Sequence, residues 1–388
     1  MSTSLLAGLT VLDLASVGPA ARTSRWLADF GARVIKVGPP PQQSGVQIVP
    51  PFYAYGGHRG MERAQIDLKA PAGKEAFLRL AAGADVVIES FRPGVVDRLG
   101  IGFDDVRAVN ASIVYCSTSG YGQSGPKSQW AGHDINYLAV GGYLDCSGRD
   151  AEGGPALPGA TVADSAAGGM HAVMSILAAV VKRNETGEGI HLDVAVADGV
   201  VALMSLYIDE YLATGTVPGP RHNILTGRYA CYDVYRCSDD RWVAVGAIEP
   251  HFYVNLCNLL GCEKWVGSQM DDAVQDQIRA DFAAAFATRT MQEWVDELAP
   301  ANTCVSPVAT VPELVDDPQY RARNAIVTAE RPEHEPFEQV GYVLAGMAQD
   351  QGAPLVRDPA LTDTDALLTE AGYDASTIAA LRAEGAVA

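Results

Sequence analysis

TVLDLASVGPAARTSRWLADFGARVIKV, residues 10–37, decides the fold. It holds a short apolar strand pattern at 10–14, a turn with Pro19 placed for a helix first turn, an amphipathic helix at 21–30 and a second β-branched run at 34–37. Working outward, the same alternation continues with a helical pattern at 72–82, a strand at 85–89 and another at 112–117. Short apolar strands that each return through a helix predict a doubly wound parallel sheet, whose ligand lies at the carboxyl ends of the strands. Residues 195–214 read as one long apolar helix, followed by a Gly- and Pro-containing stretch, 215–227. Beyond it come strand patterns at 232–236 and 242–246 and helical runs at 252–260 and 275–298. The expected architecture is α/β: a large doubly wound parallel-sheet domain over 1–194, a linker helix and loop over 195–231, a smaller α+β domain over 232–325, and a final segment over 326–388.

Composition narrows the function. With 388 residues, 48% hydrophobic and 19% charged, the chain has ample core and no tract of disordered composition. A formal net charge of −19 opposes binding to nucleic acid or to anionic lipid, because both are polyanions. An anionic small ligand then requires a few locally placed Lys and Arg residues. The first residues carry no basic leader, and Asp13 interrupts their apolar run, so a cytoplasmic protein is expected. Residues 165–181 are uncharged, but they contain His171 and the pair Gly168 and Gly169, which predicts a buried helix rather than a membrane span. Seven cysteines at irregular spacing, without paired histidines, predict buried free thiols and neither a metal site nor a disulfide framework.

Several segments carry polar residues where chemistry can occur. GYGQSG at 120–125 matches a glycine-rich nucleotide loop, but it follows a late strand and runs into Pro126 and Lys127, which argues against a dinucleotide. In GHDINY at 132–137, His133 and Asp134 stand together at a Gly-led helix start. There an imidazole titrates near neutral pH, and first-turn amides can face an oxyanion. Read alone, the segment fits a capping Asp beside a surface His better. Asp164 in TVADS begins the apolar helix, which suits either an N-cap or a carboxylate facing an interior cleft. Glu249 stands in GAIEP, where a strand ends and Pro250 starts a helix. A solvated turn Glu fits there as well.

These segments together closely resemble the alpha-methylacyl-CoA racemases of the family III CoA-transferase (CaiB/BaiF-like) superfamily. The likeness runs along nearly the whole chain, through GLTVLDL, LADFGARVIKV, DLK at 67–69, ESFRPGVVDRLG at 89–100, TSGYGQSGP at 118–126, GHDINY, VADSAAGGM and VAVGAIEPHFY. The resemblance implies the fold of that superfamily, an interlocked homodimer, and a final segment that returns to the large domain. It implies that His133 and Asp164 flank the α-carbon of an acyl-CoA thioester and exchange its proton, with Glu249 orienting and charging His133. Amides at the His133–Asp134 helix start would hold the enolate oxygen, and Asp198 and Tyr232 are lesser candidates for the site wall. Lys69, Arg92 and Arg98 are implied as coenzyme-phosphate contacts, with the Val17 backbone near the adenine. No cofactor beyond the CoA moiety of the substrate is implied, and no metal. The chain departs from the pattern at Gly38-Pro39-Pro40, where many relatives have an Arg, and at His58-Arg59-Gly60-Met61-Glu62, where they are more basic.

Two rivals share these residues. A CoA-transferase would carry its acyl group on Asp164 as an anhydride and would have no use for His133 or Glu249. A catalytically silent acyl-CoA-binding protein would keep the arginines and tolerate loss of the acid and base, yet all three catalytic candidates are present.

Overall fold

The computed structural model describes residues 4–15, 17–41, 59–332, 334–347, 354–358 and 361–388. His58 of the departure noted above lies outside them. The chain divides into two compact units, one formed by Met1–Gly142, Pro158–Leu206 and Pro318–Ala388, the other by Tyr143–Leu157 and Tyr207–Asp317.

The first unit is built on six parallel strands, β1 (Thr10–Asp13), β2 (Arg33–Gly38), β3 (Glu62–Gln65), β4 (Val86–Glu89), β5 (Val114–Ser119) and β6 (Ile190–Ala195), in the order β3-β2-β1-β4-β5-β6. The central strands are apolar on both faces because helices cover both. Alternate side chains therefore fill two separate cores. Leu12, Val87 and Tyr115 point into one, with Phe77 of the helix Pro71–Ala81. Val11, Val86, Ile88 and Val114 point into the other, with Leu27 of α1 (Gly18–Asp29) and Ile176. The chain leaves β1 toward β2 and returns to β4 on the other side, so β1 and β4 bracket the point where the winding reverses. The crevice at their carboxyl ends is where open sheets of this kind bind ligands. The loop after β1 is held by a buried ion pair: Lys36 Nζ lies 2.5 Å from Asp13 Oδ2, and Asp13 Oδ1 accepts the Ala15 N–H at 2.7 Å.

The final segment closes on this unit. Ala388 N–H donates to the Gln65 carbonyl at 3.1 Å, Val387 bridges to Ile66, and Leu367, Leu368 and Leu381 enter the first of the two cores.

The second unit carries an antiparallel sheet, β7 (Tyr232–Arg236), β8 (Trp242–Gly246) and β9 (Val305–Pro307), in that order. Its core joins Tyr235, Val243 and Val245 to Tyr253, Phe282, Phe286 and Trp294.

Four expectations need correction. The helix predicted over 195–214 is two helices, Val196–Leu203 and Ser205–Thr214, that break at Met204. The first buries Val196, Gly199 and Val200, whereas the second has no buried residue, so one apolar run serves two environments. Residues 195–206 accordingly belong to the first unit and not to a linker, while 143–157 join the second. The run at 275–298 is also two helices, because Thr290 and Glu293 form a capping box that starts Met291–Leu298 afresh. Finally, all seven cysteines are free, but Cys304 is exposed and Cys146 half-buried rather than buried.

Candidate active site

Asp164 sits in a π-helix, Ala163–Met170, that runs directly into the α-helix His171–Thr186. The composition ADSAAGGM follows from close packing on two sides. A Cβ at Gly168 would lie 2.6 Å from Pro19 Cβ, and one at Gly169 would lie 2.8 Å from the Trp26 ring, so only glycine lets α1 approach. A Cβ at Gly199 would lie 2.0 Å from the Ala167 carbonyl oxygen, so the helix Val196–Leu203 also packs on bare backbone. Wide helical turns of this type cluster at functional sites. Val162 and not Asp164 occupies the helix N-cap position, and Asp164 lies inside the first turn.

Three partners surround Asp164. Arg22 Nη1 lies 3.4 Å from its Oδ2, while Arg22 Nη2 donates to Thr161 Oγ1 at 2.9 Å. The Asp164 N–H donates to Asp134 Oδ1 at 2.8 Å, so Asp134 braces the π-helix instead of capping its own helix. Burial raises the Asp164 carboxyl above the ordinary Asp range. The Arg22 charge opposes this rise, Asp134 adds to it, and His133 is near enough to oppose it in turn.

His133 is the N-cap residue of the helix Asp134–Val140 and is exposed. Its own N–H donates to Asn136 Oδ1 at 3.0 Å. Tyr137, one turn on, is buried and donates its hydroxyl to the Gly132 carbonyl at 2.6 Å. The structure thus brings His133, Asp134 and Asp164 together within the first unit. Arg22, Asn136 and Tyr137 join them without having been singled out in the sequence. Arg22 reads there as one polar position of an amphipathic helix, 142 residues from its partner.

The other candidates fall in two places. Val17 follows β1 as the exposed N-cap residue of α1. Exposed Arg92 follows β4, and exposed Arg98 lies in the short helix Val95–Leu99 behind it, after Gly94, whose φ of +81° only glycine adopts readily. Lys69 is exposed beyond β3, in a turn where its N–H donates to Asp67 Oδ1 at 3.0 Å. Lys74, not foreseen, reaches the same region: a Cβ at Gly100 would lie 3.2 Å from its Nζ. The loops after β1 and β4 thus present Val17 and Arg92 at the reversal of the winding. Asp198 is exposed in the first turn of the helix Val196–Leu203. Glu249 and Tyr232 belong to the second unit. Glu249 is the exposed N-cap residue of Pro250–Leu259 and makes no side-chain cap, and Tyr232 opens β7 and lines an open cavity of about 400 Å³ with Gly246, Cys304 and Ser306. Among the described residues no group of three or more His, Cys, Asp or Glu is placed to hold a metal ion.

Residues 6–364 match the family model of CoA-transferase family III. The chain belongs to that family. Its relatives divide between two chemistries. It is 34% identical to the human (Homo sapiens) alpha-methylacyl-CoA racemase over 333 residues, covering 85% of each chain. It is 31% identical to an acetyl-CoA:oxalate CoA-transferase of Acetobacter aceti over 337 residues, covering 82% of this chain and 85% of that one. Among solved structures, a CaiB/BaiF family protein from Brucella suis superimposes with a TM-score of 0.73 at 26% identity, covering 93% of each chain. The fold is therefore that of family III, and the chain is an enzyme of the superfamily that contains both the racemases and the CoA-transferases.

Proposed function

We propose that the protein is a 2-methylacyl-CoA racemase, inverting the α-carbon by 1,1-proton transfer through an enolate with His133 and Asp164 as the acid–base pair. The observation that carries the reading is the hydrogen bond from the Asp164 amide to Asp134, the residue next to His133, which joins a carboxylate and an imidazole from two different segments. A thioester acidifies its α-hydrogen only weakly, so inversion requires a base on one face of a planar enolate and an acid on the other. Burial raises the Asp164 carboxyl above the ordinary Asp range, which makes it a better proton acceptor than an ordinary carboxylate. Amides at the start of the helix Asp134–Val140 would face the enolate oxygen, so the reaction calls on no metal or redox group.

In this reading the substrate is an acyl-CoA whose phosphates meet Lys69, Arg92 and Arg98. The protein is an interlocked cytoplasmic homodimer, and Glu249 of the partner chain orients and charges His133. Asp198 and Tyr232 line the site. The support for a partner chain is the exposure of Leu206, Tyr211 and Leu212 on a helix with no buried residue. The competing reading, CoA transfer through an Asp164 anhydride, is supported by the Acetobacter relative. Single His133→Ala and Asp164→Asn variants separate the two. Racemisation predicts that each loses inversion by about 10²-fold or more, whereas transfer through Asp164 leaves His133→Ala active. Undiminished inversion in both variants rejects the acid–base assignment.

A further inference from the structure

His133 is exposed and makes no side-chain cap hydrogen bond, so apart from the proposed contact with Glu249 the direction of its ring depends on the backbone that carries it. The peptide that links Gly132 to His133 is held at both of its polar groups. Its N–H donates to Asn136 Oδ1 at 3.0 Å, and its carbonyl accepts the Tyr137 hydroxyl at 2.6 Å. Both holders are side chains of the helix that His133 caps, three and four residues on, where side chains lean back toward the helix start. Tyr137 is itself immobilised. A Cβ at Gly120 would lie 2.5 Å from its Cε1 and one at Gly132 would lie 2.7 Å from it, so two glycines form a slot for the ring, and Tyr121 meets it edge-on at 5.3 Å. Burial first, then the neighbouring Asp164, Tyr121 and Asp134, push the phenol up to about 12, so it remains a donor throughout the neutral range.

We propose that Tyr137 is a positioning residue, clamping with Asn136 the peptide plane that aims the His133 imidazole. The proposal rests on the reading of His133 as one of the two proton-transfer groups. Removing the hydroxyl leaves the ring in its slot and frees one side of the peptide, so the imidazole samples directions from which it cannot reach the α-carbon. A misaimed proton donor or acceptor lowers turnover without touching the groups that hold the coenzyme.

The test is steady-state inversion of a 2-methylacyl-CoA by purified Tyr137→Phe, Asn136→Ala and His133→Ala. The expected result for Tyr137→Phe is a fall in kcat of about tenfold or more with KM within twofold. Asn136→Ala is expected to give the same split, and the double variant less than the product of the two losses, because both residues hold one peptide. Wild-type kcat in Tyr137→Phe and Asn136→Ala, beside an inactive His133→Ala, overturns the clamp alone. A raised KM with unchanged kcat also overturns it, since it moves Tyr137 to substrate binding. Full activity in His133→Ala instead removes the reading on which the clamp rests.

Discussion

Glu89 shows what a single residue contributes beyond its motif. It ends β4, is 2% exposed, and accepts the Phe91 N–H at 2.7 Å, which sets the turn that presents Arg92. Burial raises its carboxyl to about 7, Asp97 and Asp193 add to the rise, and hydrogen bonds from Ser117 and Phe91 oppose it. A carboxyl raised on folding is protonated in the native state where it is ionised in the unfolded chain. Its stabilising contribution is thus complete below the ordinary value near 4.5 and is lost as pH rises toward 7. The loss is on the order of 3 kcal/mol. Denaturant unfolding of Glu89→Gln should therefore show a flatter profile than wild type between pH 5 and 7.5, with the variant gaining relative stability toward the upper end. Parallel profiles would contradict the raised carboxyl. At this scale the sequence offered His133, Asp134, Asp164 and Arg92 as candidates through the family resemblance of their segments, since each segment read alone also fits a structural role. Arg22, Lys74, Asn136 and Tyr137 were not among them, because what they do depends on partners that only folding or helix geometry supplies.

The element that places Asp164 is a π-helix, and three glycines let its neighbours pack closely against it. Gly168 and Gly169 admit α1, and Gly199 admits the helix that follows β6. The sequence offers the uncharged run 165–181 as one buried helix, and in the structure the helix over Ala163–Thr186 is long and apolar enough, by length and composition, to cross a membrane. Packing distinguishes its faces: Ala172, Ile176 and Ala179 are buried while Met174 and Val181 are exposed. Periodicity does not report a widened turn, since small residues satisfy either helix type. Gly199→Ala tests the arrangement, because its methyl would meet backbone that has no rotamer to change. Overpacking of this kind costs about 1–3 kcal/mol, so the thermal midpoint should fall by several degrees and activity should fall with it as Asp164 shifts. An unchanged midpoint would show that the helices do not rely on this contact. The breaks at Met204 and Thr290 have the same lesson at smaller size. The Thr290–Glu293 capping box was present in the sequence and outweighed by an apolar pattern that spans it.

At the scale of the whole molecule, the doubly wound sheet was legible because the central strands β1, β2, β4 and β5 are largely buried and read as apolar runs, whereas the edge strands β3 and β6, with polar and part-exposed residues, carried no such signal. The division of the chain was less so. Residues 143–157 leave the first unit and 158–206 return to it, and a short excursion of this kind carries no compositional mark. The proposed homodimer has its own test: sedimentation velocity should give twice the 40.9 kDa chain mass, and Leu212→Glu, at a position 74% exposed, should shift the protein toward monomer. A monomeric wild type would remove the partner chain from the account of Glu249. In a chain of net charge −19, the cations after β3 and β4 are the place proposed for the anionic coenzyme. What happens at the α-carbon is decided most directly by proton NMR of the purified protein with one epimer of a 2-methylacyl-CoA in deuterated water, run in parallel with a free carboxylate acceptor. Racemisation predicts that the α-hydrogen signal disappears as the other epimer forms, with the CoA staying on its acyl group. An α-hydrogen that persists while CoA moves to the acceptor would contradict it and make Asp164 an acyl carrier.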